Sequence, residues 1–130
     1  MLNTYNLPTY PYLRSADQDA AEPVRHPLVV IGAGPVGMAL AADLAQYGQA
    51  VVVLDDNNTV SVGSRAVCYA KRFLDISDRL GVGQRAVDKG VTWNLGRVFF
   101  EQEQVYTFDM LPEQHHRRPA FINLQQYYME

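Results

Sequence analysis

At 130 residues, 48% hydrophobic and 19% charged, the chain has the length of one globular domain or of part of a larger one. It can bury roughly two-thirds of its unfolded surface. A net charge of −3 gives no support for wholesale binding to nucleic acid or an anionic membrane. The single cysteine, Cys68, excludes an internal disulfide and suits a reducing cytoplasm, and no apolar run approaches the ~20 residues that span a bilayer.

Residues 1–26 lack the apolar stretch of a secretory signal, and Asp17, Asp19 and Glu22 argue against a transit peptide. Pro8, Pro11, Pro23 and Pro27 disfavour a helix, so this segment reads as an extended arm. Tyr5, Tyr10 and Tyr12 are its candidates for packing on the domain or on a partner.

Leu28–Ile31 is wholly apolar, as expected of a strand buried on both faces in a parallel sheet. Gly32, Gly34 and Gly37 follow in the pattern G-x-G-x-x-G. The first glycine permits the turn from strand to helix, the second lets backbone approach a pyrophosphate, and the third allows close helix–sheet packing. A helix is predicted from about Pro35 to Tyr47, with Pro35 tolerated in its first turn and Gly48 as terminator. The free N–H groups of Val36 and Gly37 and the positive end of the helix dipole make that turn, which Pro35 opens, an anion site.

Ala50–Leu54 reads as the second buried strand, ending at Asp55 with Asp56 beside it. Asp55 lies where a carboxylate can take both hydroxyls of an adenosine ribose and would repel a 2′-phosphate. A lone glycine motif occurs often by chance. Here strand, helix, second strand and terminal acid stand at the spacing a nucleotide-binding unit needs. The glycine pattern alone does not separate NAD from FAD.

After a turn-rich linker, Arg65 stands at the start of an expected amphipathic helix, with Ser64 as N-cap and Gly81 ending it. Val67, Ala70, Phe73 or Leu74, and Leu80 supply the helical periodicity, which puts Cys68 on the apolar side as a small core residue. "VTWNLGRVFF" and "QVYTFDML" read as a β-hairpin, with Trp93, Phe99, Phe100, Tyr106 and Phe108 as sheet packing. "PEQHHRRPA" reads as a polar, solvated loop containing Arg117 and Arg118. Adjacent His115 and His116 would point to opposite faces of a strand, so no metal site is assigned. Asn123 is placed to cap a helix beginning at Leu124.

The spacing from Gly37 through Ala41, Leu44 and Gly48 to the acid resembles the extended fingerprint of FAD enzymes with a glutathione-reductase-like fold. "GSRA", followed by a segment ending "LDISDRLG", resembles the FAD-dependent aromatic-ring hydroxylases. These are class A flavoprotein monooxygenases that include phenol and 3-(3-hydroxyphenyl)propionate hydroxylases, and the likeness covers residues 27–130.

The resemblance implies an α/β, Rossmann-like FAD-binding fold with a small β-meander, in which Arg65 contacts FAD near its pyrophosphate and ribityl chain. It also implies a glutamine hydrogen-bonded to the ribityl hydroxyls, at Gln126 with Gln125 as the alternative. The cofactor-binding set is therefore Gly32, Gly34, Pro35, Val36, Gly37, Asp55, Asp56, Arg65 and Gln126.

The implied activity is hydroxylation of a small phenolic substrate with NAD(P)H and O2, in the cytoplasm. No side-chain triad or carboxylate pair is marked by spacing, and no catalytic residue is assigned. The family's later pyrophosphate and ribityl motifs would lie beyond Glu130, so the chain resembles the N-terminal quarter of such an enzyme. It is expected to be inactive alone, with uncovered apolar faces favouring self-association or a complementing chain. The other readings are a non-catalytic nucleotide-binding or interaction module, and an NAD-dependent dehydrogenase domain.

Overall fold

The valine-rich run before the glycine motif forms strand β1 (Val29–Ile31), and the run before the paired acids forms β2 (Val52–Leu54). They pair in parallel, with Val29 opposite Val52, Val30 opposite Val53 and Ile31 opposite Leu54. The ladder extends at both ends, since Val52 N–H donates to the Leu28 carbonyl at 3.1 Å and Gly32 N–H to the Leu54 carbonyl at 2.7 Å. Helix α1 (Pro35–Gln46) makes the crossover. It closes on Gly48, whose φ of 73° lets its N–H reach the Ala45 carbonyl at 2.9 Å while Gln49 N–H reaches Leu44 at 3.2 Å.

This computed structural model describes residues 6–63 and 65–130. They fall into two compact units: Met1–Arg65 with Met129–Glu130, and Ala66–Tyr128. In the first unit the strands are not buried on both faces, as their composition had suggested. Ile31 is 86% exposed and Leu54 52% exposed, and α1 has no fully buried residue. Two strands and one helix cannot enclose a parallel sheet, whose faces need helices on both sides and further strands at the edges. Ahead of β1 the described residues are irregular apart from a bridge at Thr9 and a 3-10 turn at Ala16–Asp19. There Arg14 pairs with Asp19, and His26 with Asp17 at 2.7 Å. Tyr5 lies outside the described residues.

The second unit is built on a three-stranded antiparallel sheet with β7 (Phe121–Asn123) between β3 (Cys68–Ala70) and β4 (Val91–Trp93). Ile122 at its centre is fully buried, and Leu74 from α2 (Lys71–Arg79) is equally so. Helix α2 therefore starts six residues later than Arg65, with Ala70 as its N-cap. The residues before it are drawn into β3 by pairing with β7, a contact across fifty residues that local periodicity does not reveal. Cys68 is accordingly an exposed strand residue, not a helical core residue. The proposed cap, Ser64, lies outside the described residues.

Gly81 (φ 82°) ends α2 as expected, its N–H on the Asp78 carbonyl at 3.0 Å and Val82 N–H on Ser77 at 2.9 Å. Helix α3 (Gly83–Lys89) follows at once. The hairpin begins only at Leu95: β5 (Leu95–Phe100) pairs with β6 (Glu103–Asp109), while β4 leaves to join β7. Trp93 stacks on Phe121 at 5.0 Å between ring centres, and the Phe108 ring lies where a Cβ on Gly96 would sit. Phe99, Phe100 and Tyr106 are more than half exposed. The expected helix from Leu124 is a strand end followed by a 3-10 turn at Gln126–Tyr128.

Candidate cofactor site

The loop between β1 and α1 carries the site's geometry. Gly32 adopts φ 101°, which L side chains rarely reach. A Cβ on Gly37 would stand 1.9 Å from the Gly32 carbonyl oxygen and 3.1 Å from Val30 Cγ1, so only glycine allows α1 this close to β1. A Cβ on Gly32 or Gly34 would meet nothing within 4 Å, which leaves open space in front of the helix N-terminus. Gly34 is the N-cap and Pro35 the first helical residue. Val36 and Gly37 keep N–H groups without intrahelical partners, and no acidic residue occupies the first turn to oppose an anion.

Asp55, exposed at the end of β2, is tied into this loop. One carboxylate oxygen accepts the Ala33 N–H at 2.5 Å; the other accepts Asn57 N–H at 2.8 Å and Asn57 Nδ2 at 3.2 Å. The Ala33 bond, then those of Asn57, hold its pKa below the ordinary carboxylate value. A carboxylate offers about four lone-pair sites, and three are used, so Asp55 has room for about one ribose hydroxyl. Among the described residues Asp56 accepts one hydrogen bond, from Asn57 Nδ2 at 2.9 Å, and so has acceptor capacity next door.

Arg65 is exposed at the end of the same unit, and Gln126 is half-buried in the 3-10 turn of the other unit. Gln125 is exposed. The loop glycines, Pro35, Val36, Asp55 and Asp56 thus form one cluster in the first unit.

Three further polar links had no signal in the sequence. Glu130 accepts Ser61 N–H at 2.5 Å and Ser61 Oγ at 2.6 Å, which binds the segment after β2 to residues 129–130 within the first unit. In the second unit Arg118, 3% exposed, donates to both carboxylate oxygens of Asp78 and to Gln84 Oε1 at 2.9 Å. This ion pair holds the Asp78 pKa down and the Arg118 pKa up. Arg118 is therefore a buried structural residue, not part of a solvated loop; Arg117, 3.2 Å from the same carboxylate, stays exposed. The third link joins the N-terminal arm to residues 58–59.

A cleft of about 320 Å³ in the second unit is lined by Trp93, Leu111, His115, His116 and Arg117 among others, and contains none of the assigned cofactor residues. Among the described residues no group of three or more His, Cys, Asp or Glu side chains is arranged for a metal, and no helix is long and apolar enough to cross a membrane.

A parallel βαβ unit with a glycine turn, an open helix N-terminus and a carboxylate at the second strand's end is the arrangement of a Rossmann-like dinucleotide-binding fold. Residues 25–129 match the family model described as FAD binding domain, and the chain belongs to that family. It is 31% identical over 72 residues to a rifampicin monooxygenase of Streptomyces venezuelae, covering 55% of this chain and 15% of that protein. The fold matches p-nitrophenol 4-monooxygenase of Pseudomonas putida with a TM-score of 0.69 at 29% identity, over 80% of this chain and 27% of the other. A flavin-dependent monooxygenase solved with FAD and substrate shares the fold alone, with a TM-score of 0.60 at 18% identity over 82% of this chain and 20% of the other. The chain thus spans only a minor part of the length of each.

Proposed function

We propose that this chain forms the adenosine-diphosphate side of the FAD site in a flavin-dependent monooxygenase that hydroxylates a small phenolic substrate with NAD(P)H and O2. The observation that carries the reading is the glycine loop held open by Asp55 in front of α1, within a segment that matches the FAD-binding family over residues 25–129. The monooxygenase relatives support the reaction class, and the p-nitrophenol enzyme supports a phenolic ring as substrate.

In this reading the Val36 and Gly37 N–H groups and the helix dipole orient the pyrophosphate at the Gly32–Gly37 turn. Asp55 accepts one ribose hydroxyl and Asp56 the other. Arg65 supplies fixed donors to phosphate and ribityl oxygens, and Gln126 hydrogen-bonds the ribityl chain. Bound flavin supplies the redox chemistry, so the chain's own work is binding and orientation. NAD(P)H occupies a different place in the complete enzyme. The short share of its relatives' length fits a chain inactive alone, and the exposed β1–β2 faces fit association with further sequence or another chain.

Titration calorimetry of the 130-residue chain with FAD and with NAD tests this. Saturable binding of FAD, weakened at least tenfold by Asp55→Ala, is expected. Preference for NAD would overturn the flavin reading in favour of a dehydrogenase domain.

A further inference from the structure

Residues 6–24 lie outside the family match, yet the arm is bound to the cofactor side of the first unit. Thr9 and Thr59 form an antiparallel bridge. Tyr10 N–H donates to the Asn58 carbonyl at 2.7 Å, and Thr59 Oγ1 donates to the Pro8 carbonyl at 2.6 Å. The neighbouring Asn57 holds both acids, Asp55 by its backbone and side chain and Asp56 by its side chain. Hydrogen bonds to Asn58 and Thr59 tie the arm to the same short segment whose Asn57 holds the two carboxylates, and Asp55 in turn holds Ala33 in the glycine loop.

Tyr10 ends this seam, 56% exposed and with no side-chain hydrogen bond among the described residues. Tyr12 differs: its hydroxyl donates to Gln18 Oε1 at 2.6 Å inside the arm's own turn. Asn58 is three residues from Asp55, at most ~10 Å of extended chain, and antiparallel neighbours add about 5 Å. These lengths put the Tyr10 backbone at most about 15 Å from Asp55, a span that a ribose with its base and a tyrosine side chain together can bridge. An aromatic side chain provides a stacking platform for any base without reading its edges.

We propose that the arm is part of the cofactor site, with Tyr10 as the platform that covers the adenine of the bound dinucleotide. The proposal rests on the FAD reading of the Gly32–Asp55 site, and adds to it a binding residue from outside the family segment. The arm's attachment by two hydrogen bonds, one of them within the Thr9–Thr59 bridge, makes it a fixed wall, so little ordering cost falls on the cofactor when it binds.

The test is calorimetric titration of the unaltered chain and of Tyr10→Ala, Tyr10→Phe, Tyr12→Ala and Asp55→Ala with FAD and, separately, with ADP, each variant first checked for unchanged far-UV circular dichroism. Tyr10→Ala is expected to weaken FAD and ADP alike, about tenfold, with Tyr10→Phe retaining affinity and Tyr12→Ala unchanged. ADP carries no flavin, so an equal loss assigns the effect to the adenosine end. If Asp55→Ala loses affinity and Tyr10→Ala does not, the arm's role is overturned and the cofactor reading stands. If Tyr10→Ala weakens FAD but not ADP, adenine stacking is overturned. If the unaltered chain binds neither, both readings fall.

Discussion

The unit Ala66–Tyr128 buries Tyr69, Leu74, Ala86, Ala120, Ile122 and Leu124 around its antiparallel sheet, whereas among the described residues of the dinucleotide unit only Val60 reaches comparable burial. Both are rich in apolar residues, so composition does not account for the difference. An antiparallel sheet can bury one face against its own helices, as β3, β7 and β4 do. A parallel βαβ unit exposes both sheet faces and both edges until more strands and helices arrive. The first unit depends correspondingly on polar ties: Asp55 to Ala33, Ser61 to Glu130, and Thr9 to Thr59. These ties sit where the site needs fixed geometry, around the glycine loop and the segment after β2. The glycine loop and its acids thus lie in the less buried half, and most of the buried core lies in the other.

The largest effect should come from emptying the second unit's core. Ile122→Ala removes a fully buried side chain next to β3 and β4 and is expected to cost about 4 kcal/mol. Trp93, the only tryptophan, lies in that unit, so urea unfolding followed by its fluorescence reads the loss directly. Gly37→Ala attacks the other half, at a cost on the order of 3 kcal/mol for the clash with Gly32 and Val30. It should abolish FAD binding and raise amide exchange over residues 29–46 while leaving the Trp93 transition in place. A Trp93 midpoint that moved with Gly37→Ala would show that the two units do not divide stability as described.

Glu130→Gln should have a smaller effect, about 1 kcal/mol, by weakening the carboxylate's bonds to Ser61. Faster amide exchange confined to residues 59–63 is the expected readout. The smallest effect is a pH dependence. The folded pKa of Asp55 is depressed by Ala33 and Asn57, so its stabilisation is complete above the ordinary carboxylate value of about 4 and is lost as pH falls through the lower folded value. The Ala33 amide resonance should stay constant from neutral pH to about 4 and move only below it. Movement centred above that value would break the assigned bond.

Much of the dinucleotide unit was legible because its signals are local. Gly32 to Gly37 lie on one turn, α1 runs from Pro35 and closes on Gly48, and Asp55 ends the second strand as its spacing requires. The Ala33–Asp55 bond spans 22 residues and had no local sign, although it decides how many acceptor sites Asp55 has left. In the second unit long-range pairing overrode helical periodicity: residues 68–70 joined β7, so α2 began at Lys71, and residues 121–123 became a strand where a helix cap had been expected. Arg118 looked like a loop residue because its partner, Asp78, lies 40 positions away. The Glu130–Ser61 bond, across 69 positions, was equally hidden.

The central claim is that this chain holds the adenosine-diphosphate half of an FAD site at the glycine loop. Amide resonance mapping during addition of FAD tests it most directly. Saturable shifts are expected at residues 32–38 and 55–58, with β5 and β6 unmoved. Shifts concentrated in the hairpin or in the cleft beside Trp93, with the glycine loop unchanged, would contradict it.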